Sequence, residues 1–576
     1  MFRSLNADRK VTSMNTSEKS QKVLIVGGVA GGAGVAARLR RNDEQAQIIL
    51  FEKGEYISYA NCGLPYYVGN VIKEKSDLLL QTKKGFSQRF NVDIRLKNEV
   101  LSIDTAARTV TVVDYDSGKT YKESYDKLVL SPGASPIRPH LPGADMSHVF
   151  TLRTIPDTLR IREFIETKHP QTAVIIGGGF IGVEMAENLR EQDIEVSIVE
   201  AVDHLIGAID IDMSYDLHNH VRTKGVHLYL NQLAQTITNS EVVLASGLVV
   251  KADLVLLSIG VSPETEFIKT SGIALGARGQ IIVNERLETS APDVYALGDA
   301  IGVRTFTGHE DAIIPLAAPA NKQARLVADL ICGIPRKYNG TQGTAIAKVF
   351  DMTVAVTGES EKSLKRLGIS YLKAYTYSNS HAAYYPGAVP MFLKLLFAPD
   401  NGKILGAQIT GYETVDKRID VIATAIRAGM TVYDLEELEL SYAPPYSSAK
   451  DPVNMVAYVA ENILSKKTTP FYLDDLLALP ANALLLDTRT TGEYEHGTIP
   501  GAVNIPLDSL RDRLAEIPTD KEIYITCQIG LRGYVAEQLL RGYGYRTHNL
   551  LGGYRHFQAK ETDLSSQQKT TTVHNS

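Results

Sequence analysis

Two stretches of this chain repeat one pattern, and the repeat limits the possible architecture more than any other feature. KVLIVGGVAGGAGVAARLRR leads to IILFEK, and TAVIIGGGFIGVEMAENLR leads to VSIVE. Each is a short β-branched run, a glycine turn, a helical segment and a second apolar run ending in an acid. The second is the more regular: Gly177, Gly179 and Gly182 satisfy G-x-G-x-x-G, and Glu200 follows 18 residues after the last glycine. Glycine allows a sharp turn and close approach of a pyrophosphate, the helix N-terminus turns its N–H groups to the charge, and the acid accepts from ribose hydroxyls. In the first stretch Gly27 and Gly32 frame the turn, Val29 stands where the middle glycine belongs, and Glu52 follows Gly32 by 20 residues. Two such units predict an α/β fold with two dinucleotide-binding (Rossmann-like) domains.

Composition narrows the function. Sixty Lys and Arg against 66 Asp and Glu give a formal charge of −6 over 576 residues. That is no basic excess of the kind nucleic-acid binding requires, so nucleic acid is not expected as a partner. No uninterrupted apolar run approaches the length of a membrane span, and MFRSLNADRKVTSMNTSEKSQK lacks the apolar centre of a secretory signal, so a cytoplasmic location is expected. The three cysteines, Cys62, Cys332 and Cys527, are too few and too scattered for a disulfide framework or a four-ligand zinc site. No metal is expected, and a cysteine here matters for its reactivity. Cys332, in ADLICGIP, fits no motif and is expected to pack.

Along the chain, residues 1–21 read as a disordered leader, and 22–150 plus 271–334 as the first nucleotide domain, with VTVVDYDSGKTYKES as hairpin strands. Residues 151–270 form the second. From 335 to 464 strands give way to helices without another glycine turn, which predicts an α+β domain. A polar linker spans 465–470, a small α/β domain spans 471–562, and 563–576 reads as a disordered tail.

The segment TSAPDVYALGDA is similar to the second flavin segment of two-dinucleotide-fold flavoproteins, and that similarity gives Asp299 a ribityl hydrogen bond. Two nucleotide folds in one chain imply FAD relaying electrons from a nicotinamide to an acceptor. Glu200 at its strand end, with no arginine in the following AVDHL, repels a 2′-phosphate and favours NADH over NADPH. Lys53 is grouped with Gly27, Gly32 and Glu52 as cofactor-binding. Cys62 lies in SYANCGLP, ten residues beyond Glu52, with no second cysteine within five residues. A two-thiol redox pair is therefore impossible there. A lone cysteine beside a flavin has two redox partners, oxygen giving a sulfenic acid, or a small thiol giving a mixed disulfide.

SYANCGLPYYVG, HAAYYPG and SYAPPYSSAKDP, with both glycine turns, resemble the coenzyme A disulfide reductases of the pyridine nucleotide–disulfide oxidoreductases over about residues 22–460. The resemblance implies that Cys62 cycles between thiolate and a mixed disulfide with coenzyme A. It implies that residues 335–464 are a homodimerisation domain, from which Tyr384 and Tyr442 enter the partner subunit's site to donate protons or hydrogen bonds. Arg38, Arg40 and Arg41 lie on the helix after the first turn, and residues three apart share a face. The family sets Arg38 and Arg41 against coenzyme A, with Ser58, Asn61 and Lys450. One departure is Phe90, where the family has a lysine; Arg89 is its basic neighbour.

LLLDTRTTGEYEHGTIPGAVNIPL, containing Asp487, Arg489 and His496, followed by Cys527-Gln528-Ile529-Gly530-Leu531-Arg532 after EIYIT, resembles a rhodanese domain over about 470–560. A cysteine at a strand-to-helix turn sits among backbone N–H groups that stabilise a thiolate or persulfide, and Arg532 adds positive charge at the rim. The loop is the family's short form, suited to a sulfane sulfur; the related phosphatases use one residue more.

Together these features predict an NADH-dependent, FAD-containing reductase of coenzyme A persulfide, polysulfide and coenzyme A disulfide, with Cys527 delivering or stripping sulfur. The alternatives are an NADH oxidase or peroxidase cycling Cys62 through sulfenic acid, and a persulfide-sensing sulfur-relay protein.

Overall fold

The computed structural model describes residues 20–572, so most of the leader read over 1–21 lies outside the described residues. The first glycine turn leaves the middle strand of a five-stranded parallel sheet, whose order is Val294–Ala296, Lys127–Leu130, Lys22–Val26, Gln47–Glu52 and Asp93–Leu96. The second leaves the middle strand of another, ordered Val226–Tyr229, Glu195–Val199, Thr172–Ile176, Leu254–Leu257 and Val149–Phe150. Both middle strands are continuous apolar runs because helices and loops cover both sheet faces. Each turn sits where the chain crosses to opposite sides of its strand, the place where open α/β sheets bind ligands.

Gly27 and Gly177 have φ of +95° and +108°, and a Cβ on either would lie 2.1 or 2.3 Å from the carbonyl oxygen of Ser131 or Ser258. Both turns therefore require glycine at that position. Three antiparallel strands, Asn98–Asp104, Thr109–Asp114 and Lys119–Ser124, form the expected hairpins.

The third region is an antiparallel sheet of Ala345–Val349, Met352–Gly358, Ile404–Gly411, Pro390–Phe397 and Leu372–Asn379, packed by the Val415–Ala428 and Pro452–Leu464 helices. The last is a parallel sheet of Pro470–Phe471, Arg546–Leu550, Glu522–Thr526, Leu484–Asp487 and Val503–Asn504.

Two boundaries are corrected. Val149–Phe150 pairs with Val255 and Leu256, so the first nucleotide domain ends before these residues and they form an edge of the second sheet. The disordered tail read from 563 is instead helical as far as Thr572, within a helix that begins at Gly553. Its polar composition concealed one buried contact. Asp563 is fully buried, accepts from Arg222 at 2.5 Å, and lies 3.0 Å from His218 on the Ile211–Thr223 helix. Further bonds dock the C-terminal unit: Tyr472 donates to the Lys373 carbonyl at 2.9 Å, and His556 Nε2 lies 2.9 Å from the Asp212 carbonyl oxygen.

Near this junction Lys394, fully buried, donates to Asp210 (2.9 Å), Asp212 (2.8 Å) and Glu361 (2.5 Å). These carboxylates raise the lysine's pKa against the opposing effect of burial. Although the three acids are grouped closely enough to hold a cation, the ammonium itself satisfies them.

Candidate active site

The two turns are built alike. Glu52 accepts from the N–H groups of Gly28 and Gly54, each at 2.8 Å, and Glu200 accepts from Gly178 at 2.6 Å and Val202 at 3.0 Å. Burial raises the Glu52 pKa, while the two glycine N–H groups act the other way. The helices that follow, Ala30–Asn42 and Phe180–Arg190, have no side-chain cap and no acid in the first turn. Their N-terminal N–H groups are left for another acceptor, which is the donor set a pyrophosphate takes. Gly179 faces open space, and a Cβ at Gly182 would lie 2.1 Å from the Gly177 carbonyl oxygen. These residues fit two dinucleotides, one at each turn.

Asp299 lies in the middle of the 3-10 turn Gly298–Ala300 and receives Arg153 at 2.6 Å, a partner not anticipated from the sequence. Lys53 is held by Glu264 at 2.7 Å, so its ammonium is already paired.

Cys62 is exposed and lies in the short turn Asn61–Gly63, which runs directly into the Leu64–Val68 helix. Ser58, with φ of +44°, donates its N–H to the Gly28 carbonyl at 2.9 Å and ties this loop to the first glycine turn. Asn61 adjoins Cys62 in this turn, and Ser58 lies four residues before it on the same loop. Partial burial pushes the Cys62 thiol pKa up, Glu184 adds to the rise, and Arg153 opposes it. Glu184 is itself raised to about 7 by burial and by the neighbouring Glu187. The sequence reading does not include it, although two acids three residues apart among the apolar residues of FIGVEMAENL, Glu184 and Glu187, are the available signal.

The arginines separate by role. Arg40 is buried and donates to the carbonyls of Phe90, Asp43, Glu44, Ala46 and Asn91, a purely structural set. Arg38 is held by buried Asp329 at 2.8 Å, so its guanidinium is engaged by the protein. Arg41 and Lys450 are exposed. Phe90 packs on Phe86 with ring centroids 4.7 Å apart, and Arg89 beside it is exposed.

Tyr384 and Tyr442 come together with their hydroxyls 2.7 Å apart, and both side chains are exposed. Arg418 anchors their two loops from below. Fully buried, it donates to the Ser380 carbonyl at 3.1 Å and to Ser447 and Asp451 at 3.0 Å each.

Cys527 is fully buried at the end of the Glu522–Thr526 strand, and Gly530 turns its N–H toward the sulfur at 3.1 Å. Gly530 takes φ of +102° and leads into the 12-residue Leu531–Gly542 helix, whose positive end faces the loop. Asp487 and Arg489 form a buried pair at 2.7 Å behind it, while His496 is exposed and bonded to the Gly492 carbonyl. Arg532 differs from expectation: it is bound through both terminal nitrogens to Glu493, at 2.7 and 2.6 Å, and holds that carboxyl at about 2. The rim carries an ion pair in place of a free cation. Cys332 ends the Ala317–Ile331 helix and packs against the first nucleotide core.

Comparison with known proteins places the whole. The family described as Pyridine nucleotide-disulphide oxidoreductase matches residues 21–324, its dimerisation domain matches 344–452, and the Rhodanese-like domain matches 470–560. The chain is 36% identical over 441 residues to the coenzyme A disulfide reductase of Staphylococcus epidermidis, covering 76% of this chain and all of that one. The reduced CoADR-RHD of Bacillus anthracis superposes with a TM-score of 0.92 at 51% identity, covering 94% of this chain and 98% of that one. The NAD-dependent persulfide reductase of A. fulgidus superposes with 0.88 at 35% identity, over 93% and 99%. With two acid-held glycine turns, a lone cysteine beyond the first and a second cysteine on a helix N-terminus, the chain belongs to the pyridine nucleotide–disulphide oxidoreductases and carries a rhodanese-like domain at its C-terminal end.

Proposed function

We propose that this enzyme is an FAD-containing, NADH-dependent reductase of coenzyme A persulfide, polysulfide and coenzyme A disulfide that works as a cytoplasmic homodimer. The observation that carries the reading is the isolation of Cys62. It is a free, exposed thiol beside an acid-held nucleotide turn, and the other two cysteines lie on separate elements with no disulfide between any of them. The disulfide partner of Cys62 must then arrive with the substrate. A coenzyme A disulfide reductase and a persulfide reductase among the relatives support this, as does the match to a dimerisation domain.

In the proposed chemistry the Cys62 thiolate attacks one sulfur of coenzyme A disulfide. A Cys62–coenzyme A disulfide forms, the substrate S–S bond breaks, and the departing thiolate takes a proton. The partner subunit's tyrosine pair is suited to hold that proton, since each phenol can donate to a leaving sulfur. Bound FAD supplies the electron pair drawn from NADH. Two electrons and one further proton then open the mixed disulfide, releasing the second thiol and restoring Cys62. The sum is one disulfide, NADH and a proton going to two thiols and NAD⁺.

Glu200 is proposed to favour NADH because an acid at that strand end repels a 2′-phosphate. Ser58, Asn61, Arg41 and Lys450 are proposed to position coenzyme A, and Cys527 to carry sulfane sulfur between persulfides or polysulfides and coenzyme A. No helix among the described residues is long and apolar enough to cross a membrane.

The test is steady-state NADH consumption with coenzyme A persulfide, coenzyme A disulfide and oxygen. Turnover should be fastest with the sulfur substrates. Faster turnover with oxygen overturns the proposal in favour of an oxidase, an activity named for a Lactobacillus brevis water-forming NADH oxidase that superposes with a TM-score of 0.74 at 26% identity.

A further inference from the structure

A cleft of about 940 Å³ opens between the Ala317–Ile331 helix, the turn at 336–344 and the far end of the Val415–Ala428 helix. It contains none of the residues assigned above to nucleotide, flavin or thiol chemistry. Its wall carries five cations, Lys322, Arg325, Arg336, Lys337 and Arg427, against two acids, Asp329 and Asp420.

The local pairing sharpens this imbalance. Asp329 is buried and engaged by Arg38 at 2.8 Å, Asn42 at 2.9 Å and Arg336 at 3.3 Å. Lys337 is paired with Glu285 at 2.5 Å. Lys322 and Arg325 stand three residues apart on one exposed helix face, and neither forms an ion pair among the described residues. Arg427 has no carboxylate partner either. It donates to the carbonyls of Asn339 and Gly340 at 3.2 and 3.3 Å and lies 4.0 Å over the Phe306 ring. Three unpaired cations therefore face the cleft, with exposed Asp420 as the remaining opposing charge.

The facing turn adds neutral donors. Gly340 and Gly343 both take left-handed φ, +77° and +75°, and the N–H groups of Gly340, Gln342 and Gly343 make no hydrogen bond among the described residues. Backbone N–H groups left open by such turns form anion-binding concavities. Planar guanidinium forks, a point-charge ammonium and free N–H groups together suit a chain of phosphates better than a single carboxylate.

We propose that this cleft binds an organic polyphosphate. Two sources share that chemistry: the phospho-ADP end of the coenzyme A substrate, an arm that rests on the proposed function, and a free nucleotide that occupies the cleft independently of turnover.

The test uses full-length, flavin-loaded protein and inorganic tripolyphosphate, which lacks the adenosine that the dinucleotide turns recognise. Calorimetry should show salt-sensitive binding to the unaltered enzyme. Binding should weaken about tenfold or more in Lys322→Glu/Arg325→Glu, because two reversed charges near a polyanion act additively. A Lys322→Gln/Arg325→Gln protein with unchanged flavin content serves if the reversal harms folding. Absence of binding at low salt, or equal binding by the unaltered and altered proteins, overturns the proposal. The sources separate by kinetics in the same variant. A higher KM for coenzyme A disulfide with an unchanged KM for pantethine assigns the cleft to the substrate's nucleotide end. Unchanged KM for both, with tripolyphosphate binding lost, assigns it to a free nucleotide. An equal rise with both substrates overturns the proposal, since pantethine carries no phosphate. The tripolyphosphate result stands apart from whether coenzyme A disulfide is a substrate at all.

Discussion

The phenolic oxygens of Tyr384 and Tyr442 lie 2.7 Å apart although 58 residues separate them in the chain. Neither loop has a regular element at that point. The contact rests on Arg418, whose buried guanidinium binds Ser380 on one side and Ser447 and Asp451 on the other. Either hydroxyl can donate to the other, and both side chains are exposed.

Tyr384→Phe and Tyr442→Phe should each lower kcat for coenzyme A disulfide by about a hundredfold, the lower end of the range for loss of a positioned acid. Flavin content and NADH affinity should be unchanged. Stopped-flow measurement of the reductive and oxidative halves checks this, because the loss belongs to the step that expels thiol.

Glu184→Gln should move the alkylation of Cys62 by iodoacetamide to lower pH. The ionised Glu184 carboxylate disfavours the ionised thiol, so removing that charge favours the thiolate. The effect on folding follows from the direction of the Glu184 shift. Its pKa rises to about 7 from 4.5, so its contribution to stability is full below about 4.5 and is lost as pH rises through about 7. Melting temperatures of the unaltered and Glu184→Gln proteins, compared from pH 4.5 to 8, should diverge on the alkaline side, with the variant the more stable.

Cys62→Ser should abolish NADH-dependent release of sulfide and thiol from every substrate. Cys527→Ser should slow turnover with polysulfide and bulky persulfides while sparing coenzyme A disulfide. Equal loss with both substrate types in the Cys527 variant would contradict the proposed division of labour, and survival of sulfide release in the Cys62 variant would favour the sensor alternative.

Lys394→Met should destabilise the fold by about 3–5 kcal/mol, because Asp210, Asp212 and Glu361 would be left as an uncompensated group of acids. A lower midpoint of thermal inactivation with unchanged substrate preference is the expected result. The effect belongs to stability and not to chemistry.

The glycine turns were legible because each is a local pattern: strand, turn, helix and acid fall within some thirty residues, and the backbone geometry requires those residue types. Cys527 was legible for the same reason, as a cysteine directly between a strand and a helix. What escaped notice depends on partners far apart in sequence. Arg38 reads in the sequence as an open phosphate contact, whereas Asp329, 291 residues away, holds it. Arg532 looked like a free cation, and Glu493, 39 residues earlier, neutralises it. Charge type is written in the sequence, whereas pairing is a property of the packed chain.

The terminal helix shows what such a distant contact means for handling the gene. Asp563 lies within the Gly553–Thr572 helix, but its carboxylate completes a buried triad with two residues of the Ile211–Thr223 helix. Clipping the coding sequence just after codon 562, where composition suggests a harmless stop, would leave the Arg222 guanidinium without its counterion and the buried His218 ring without its hydrogen-bond partner. An injury to the Gly553–Thr572 helix would then surface as a weakness in the Ile211–Thr223 helix, more than 300 residues earlier.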